Sequence, residues 1–250
     1  MGRRSPLCGW LLAGVLLAGP ASAGERVALP AGRFAPLFGL DVGQRDFAVA
    51  PFRLDVRPVS RADWARFLAE NPAWRAGKPA RALVDERYLA SFLQPMAGHA
   101  PVVEISYFAA RAYCAWAGGR LPTTLEWEYA AAADETRRDA ASTPEFAQRI
   151  LDWYSRPPKP GDLEGPGSPR NVYGVEALHG LVWEWTDDFN AVFVSGDNRQ
   201  DGDKNAKFMC GSGATGSARR EDYAAFMRYA LRGSLTPRTA LPSLGFRCAN

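Results

Sequence analysis

The sequence predicts an irregular α+β domain, rich in loops and strapped together by them. Three observations lead there. Only three segments combine a helical hydrophobic period with a capping residue. Residues 152–174 are rich in Pro and Gly and read as a long surface loop. What remains reads as short strands and turns, with no repeat of fixed period and no low-complexity tract. A chain of 250 residues is long enough to bury one sizeable core.

The elements follow in chain order. "MGRRSPLCGWLLAGVLLAGPASAGE" has Arg3 and Arg4, an apolar run from Trp10 to Ala18, and then Ala21-Ser22-Ala23. That is the charged region, apolar region and small-residue cleavage site of a secretory signal. The apolar run is too short to span a membrane. Residues 1–23 are therefore expected to be a signal peptide and 24–250 a single domain, exported to the periplasm or secreted. Arg3-Arg4 leaves twin-arginine export open, but Pro6 stands where a bulky apolar residue is usual, which favours general secretion. Cys8 precedes the apolar run and so is not a lipid-anchored cysteine.

"VSRADWARFLAENP" reads as a helix capped by Ser60, with Asp63 three residues on and Trp64, Phe67 and Leu68 on one face. "ISYFAARAYCAWAGG" reads as a second, capped by Ser106 and stopped at Gly118. "LPTTLEWEYAAAA" reads as a third, with Thr123 and Glu126 forming a capping box. Net charge is +3, and no basic run interleaved with aromatics suggests nucleic acid. After cleavage the chain keeps Cys114, Cys210 and Cys248. In an oxidising compartment two of them should pair, and spacing alone does not say which.

Four blocks resemble one known family. "PFRLDVRPVSRADWARFL", "APVVEISYFAARAYCAWAGGRLPTTLEWEYAAAA", "NVYGVEALHGLVWEWTDDF" and "SLGFRCAN" are similar, in that order, to motifs of the formylglycine-generating enzymes, also called sulfatase-modifying factors. The resemblance implies their compact, loop-rich fold, related to C-type lectins. It also implies a disulfide between Cys114 and Cys248. Such a bridge would contribute about 5 kcal/mol by chain entropy.

In that family the W-E-W segment lies in the core, and its Glu helps to hold a structural calcium. Glu184 is the matching residue, with Trp183 and Trp185 as core walls. A hard cation takes oxygen ligands, so calcium would justify a buried Glu184. The family's preceding Asn is Leu181 here, and a core carboxylate paired with an Arg is the other reading of Glu184. Asp187 and Asp188 adjoin the segment. The loop carrying Asp197, Asp201 and Asp203 imitates a calcium loop but lacks its glycine and terminal Glu, and reads as a solvated loop.

Copper-dependent formylglycine generation in the family uses two close thiolates, which suit copper(I). "KFMCGSGATGSARREDYAAFMRYALRGS" supplies Cys210 alone at that place, so the two-thiolate site is not expected. Cys210 is the candidate catalytic residue. The alternative is a buried structural thiol. Arg219, Arg220, Arg228 or Arg232 could lower its pKa if close. "GSGATG" at 211–216 fits G-x-G-x-x-G, but no βαβ unit surrounds it. Some relatives bind iron through three histidines from an added helical domain. Here only His99 and His179 exist, and His179 reads as a local hydrogen-bonding residue.

Two functional classes follow. One is an exported oxidative modification or maturation factor that acts on a partner polypeptide. The other is a non-catalytic binding or accessory protein with a lectin-like groove. Exported relatives of this family include siderophore-maturation proteins and accessory proteins associated with copper nitrite reductases, and the "HGLVWEW" and "CGSGA" segments look closest to the latter.

Overall fold

The computed structural model describes residues 24–35, 46–156, 160–165, 168–190 and 220–250. Cys210, the acidic loop at 197–203 and the glycine motif at 211–216 lie outside the described residues.

The strands are short and pair in twos. β1 (Arg26–Leu29) runs antiparallel to β4 (Phe52–Asp55), with Arg26 opposite Asp55. β2 (Gly32–Phe34) runs antiparallel to β3 (Phe47–Val49). β5 (Trp183–Glu184) pairs in parallel with β6 (Leu244–Gly245). The C-terminal segment continues from β6 between β4 and the loop at residue 120. Asp55 N donates to Cys248 O, and Ala249 and Arg120 exchange two backbone hydrogen bonds. This threading lets loops do what a wide sheet does elsewhere.

The three helices expected from sequence are present. In α1 (Arg61–Glu70) the Ser60 hydroxyl accepts from Asp63 N, and the Asp63 side chain accepts from Ser60 N. α2 (Tyr107–Trp116) is capped by Ser106. Just beyond its end, Gly118 takes φ +71°, a conformation that favours glycine. α3 (Thr124–Ala131) has the Thr123/Glu126 capping box. Trp64, Phe67 and Leu68 are buried together, with Tyr113 and Phe246 against Trp64.

Two helices were not expected. α4 (Pro144–Tyr154) covers residues whose end had been read as loop, and α5 (Arg220–Ser234) packs on it. α4 carries a clear helical period that the sequence reading overlooked, with Phe146, Ala147, Ile150, Leu151, Trp153 and Tyr154 at helical spacing. α4 begins with Thr143 and Pro144, a favourable first-turn pair, but Thr143 makes no side-chain cap bond. Most of its outer face is polar, so only Phe146, Ala147 and Ile150 are buried. Among the described residues no helix is long and apolar enough to cross a membrane.

Cys114 on α2 and Cys248 after β6 form a disulfide across 134 residues. Both cysteines are fully buried in the core around Trp64 and Trp185. The bridge fixes the C-terminal segment to α2.

Candidate functional site

Glu184 sits at the centre of the core. Its carboxylate accepts from Arg247 Nε at 2.7 Å and Nη2 at 2.8 Å, and from Trp127 Nε1 at 2.8 Å. The Glu184 and Arg247 side chains are both 0% exposed. Arg247 also donates to the carbonyls of Asp55, Val56, Glu176 and Ala177. One guanidinium thus ties β4, the turn at 176–177, β5 and the C-terminal segment together.

These residues match the reading of Glu184 as a core carboxylate paired with an Arg, and they do not fit the calcium that the resemblance offered as the other. A cation already neutralises the carboxylate, and both its oxygens face N–H donors, whereas calcium gathers six to eight oxygens. Among the described residues no group of three or more His, Cys, Asp or Glu is placed to hold a metal ion. The expected bridge occupies Cys114 and Cys248, which are therefore not thiolate donors.

The two tryptophans of the segment differ. Trp185 is fully buried, and its Nε1 donates to Ile105 O at 2.7 Å. Trp183 is only half-buried, which corrects its assignment as a full core residue. Trp183 packs at the edge of the core, where it stacks on Tyr154 at 4.7 Å and meets Trp153 at 5.2 Å. The aspartates that follow serve the framework. Asp188 Oδ1 accepts from Thr124 N at the start of α3, and the Asp187 carbonyl accepts from Tyr107 Oη.

A second buried charge cluster lies beside the first. Glu128 on α3 accepts from Arg228 Nε and Nη2 and from Arg232 Nη1, at 2.6–3.1 Å. Burial acts to raise the Glu128 pKa, but the two guanidiniums outweigh it and hold the carboxyl at about 2. Arg228 is held charged above its ordinary value against its own burial by the Glu128 carboxylate. Arg232 lies 4.7 Å from the centre of the Trp127 ring, a cation–π contact. Sequence reasoning offered Arg228 and Arg232 to Cys210; the structure gives both to Glu128. The missed signal was Glu128 itself, a carboxylate in an alanine-rich helix, where burial demands a cation.

A cavity of about 270 Å³ opens on the far side of α4. Phe146, Arg149 and Trp153 on α4, with Arg156 past its end, form one wall. The turn at 168–180 forms the other, with His179 at its inner part. His179 is held edge-on between the Trp127 and Phe146 rings, at 5.8 and 5.6 Å. Its Nε2 lies 3.0 Å from Ala131 O, while Nδ1 is buried without a hydrogen-bond partner. Burial, with Arg228 nearby, pushes the His179 pKa down to about 3, so the ring is neutral near pH 7. With Nε2 protonated to bond Ala131, Nδ1 is an acceptor. His99 lies in a separate cavity with Asp55, Asp63 and Tyr113. Glu128 is held ionised near pH 7 by its two arginines.

Known proteins bear on this arrangement. Residues 15–250 match the sulfatase-modifying factor enzyme 1-like domain family. The chain is 29% identical to the Inactive C-alpha-formylglycine-generating enzyme 2 of Bos taurus, over 90% of this chain and 87% of that protein. It is 34% identical to the formylglycine-generating enzyme of Streptomyces coelicolor over 60% of this chain, and it spans 52% of that protein. Likewise, 67% of the chain is 30% identical to the hercynine oxygenase of Mycolicibacterium smegmatis, spanning 46% of it. A solved structure, that of PvdO from Pseudomonas aeruginosa, aligns with 90% of this chain and 94% of its own, at 21% identity and a TM-score of 0.49. With a family match over almost its whole length and motifs in family order, the chain belongs to the formylglycine-generating-enzyme family, as a divergent member with an irregular α+β fold.

Proposed function

We propose that the protein is an exported modification or maturation factor that acts on a partner polypeptide in the periplasm, and that it works without the two-thiolate copper site. One observation carries this reading. Of the four cysteines, Cys114 and Cys248 are bridged and Cys8 precedes the expected cleavage site. Cys210 is then the one thiol of the mature chain, and copper(I) chemistry of the family kind asks for two.

A second reading has its own support. The relative aligned over 90% of the chain is named inactive, which favours a non-catalytic accessory protein, for instance in a nitrite reductase system. Cys210 is the redox candidate in the first reading and has no assigned role in the second.

The test uses protein purified from the periplasm with its disulfide intact. A C-x-P-x-R peptide, oxygen and copper(I) should yield no aldehyde. Aldehyde formation that disappears in Cys210→Ser would overturn the proposal. Cross-linking in the periplasm followed by intact mass of the captured partner separates the two readings. A mass change that is lost when this protein is deleted supports modification, whereas a bound but unchanged partner supports the accessory role.

A further inference from the structure

The cavity that holds His99, of about 230 Å³, lies where the chain enters β1 beside the segment before α1 and the side of α2. Gly24, Glu25, Asp55, Ser60, Asp63 and Tyr113 are among the residues that line it. Tyr113 is 2% exposed. Its ring is packed among Trp64, Phe67, Trp116 and Phe246. The hydroxyl end is therefore what reaches the cavity, and it makes no hydrogen bond with a described residue. Burial raises the Tyr113 pKa, and the Asp63 and Asp55 carboxylates add to that rise, so both act on the hydroxyl.

The acceptors in this wall have capacity to spare. Asp55 accepts one hydrogen bond on each oxygen, from Arg26 Nε at 2.7 Å and from Cys248 N at 2.8 Å. Asp63 accepts from the Ser60 amide and hydroxyl and from Arg66. A carboxylate offers about four acceptor sites, so each can take another donor. The guanidiniums of the wall are turned elsewhere, because Arg57 and Arg170 both pair with Glu176. The chain has a donor at hand. Val56 N donates to Glu25 O at 2.8 Å, which pins Glu25 one residue before β1. Gly24, in the cavity wall, is the residue that cleavage after Ala23 would make the first of the chain. Cleavage would turn its amide, a single uncharged donor, into an ammonium with three donors and a positive charge.

We infer that the α-ammonium of Gly24, released when the signal peptide is removed, docks in this cavity on Asp63 and the Tyr113 hydroxyl. It latches β1 to α1 and α2 in the mature chain alone. The inference rests on the export and cleavage proposed above. Gly24 is exposed, so the ammonium stands at the mouth of the cavity and the latch is modest. Before cleavage the same nitrogen is an amide without charge, and the N-terminal strand is held less firmly than after it.

Two oxidised chains test it, each cut from a carrier protein, one beginning at Gly24 and the other at Ser22. The chain beginning at Gly24 should unfold at a urea midpoint about 0.3–0.5 M higher, the shift that one charge-assisted hydrogen bond gives at an exposed mouth. Tyr113→Phe keeps the ring in the core, and Asp63→Asn keeps an oxygen for the Ser60 amide. Each variant should erase most of the difference between the two chains. Acylation of the Gly24 amine near pH 7 should be about three- to tenfold slower in the folded chain than in urea, because a nearby carboxylate favours the charged form. Equal midpoints overturn the inference, and so does a difference that either variant leaves intact. An amine acylated as fast in the folded chain as in urea overturns it too. Intact mass of the periplasmic protein judges the cleavage separately. A first residue other than Gly24 overturns the cleavage and removes the latch from the cell. Gly24 first with equal midpoints leaves the cleavage standing and overturns the latch alone.

Discussion

Glu184→Gln keeps the shape of the core and removes one charge, and its cost can be worked from the contacts. Glu184 accepts three hydrogen bonds on two oxygens, two from Arg247 and one from Trp127. Glutamine offers one oxygen. Its amide nitrogen must then face an N–H of Arg247 or of Trp127, donor against donor. Arg247 would keep its four carbonyl partners but lose its counter-charge, with no exposure to water. Breaking a buried pair from one side costs about 3–5 kcal/mol, a large part of the 5–15 kcal/mol that holds a typical domain together. With a urea slope of roughly 2.5 kcal/mol/M, a loss of about 4 kcal/mol lowers the midpoint by about 1.5 M. Equilibrium urea unfolding of the oxidised protein measures this, with and without a calcium chelator. The chelator should change neither curve, because a guanidinium occupies the carboxylate. A loss under about 1 kcal/mol would refute the argument, and so would a wild-type curve that the chelator shifts onto that of the variant.

Glu128→Gln should also destabilise the protein, by about 3 kcal/mol. That is the value of lowering a carboxyl from 4.5 to about 2 at roughly 1.4 kcal/mol per pH unit. Because the folded pKa is depressed, this stabilisation is complete above about pH 4.5 and is lost as pH falls toward 2. Stability against pH should therefore slope there in the wild type and be flatter in the variant. His179 titrates in a different window. Its folded pKa of about 3 lies below the ordinary 6.5, so acid favours the unfolded chain, which takes up the proton first. From pH 6.5 to 5 this should cost about 2 kcal/mol, and His179→Gln should remove that slope in denaturant melts. Peptide mapping without reductant should recover the Cys114–Cys248 bridge and an alkylated Cys210. Cys114→Ala/Cys248→Ala should lower stability by about 2–5 kcal/mol in urea.

Local chemistry determined what the sequence could show alone. Ser60, Ser106 and Thr123 each begin a helix because a cap reaches only a few residues along the chain, to Asp63, Ala109 and Glu126. The family motifs likewise carried the fold and the Cys114–Cys248 pairing. Tertiary structure decided the partners of the buried charges. Glu184 meets Arg247 across 63 residues, and Glu128 meets Arg228 across 100. A buried carboxylate must have a cation, which the sequence implies, but which arginine supplies it depends on how the C-terminal segment threads the core. α4 is a different case: its apolar face, Phe146, Ala147, Ile150, Leu151, Trp153 and Tyr154, is legible in the sequence and was overlooked beside the Pro- and Gly-rich loop that follows it. Trp183 shows the limit from the other side. The resemblance made it a core wall like Trp185, but it packs half-buried at the edge of that core, against Trp153 and Tyr154 of α4.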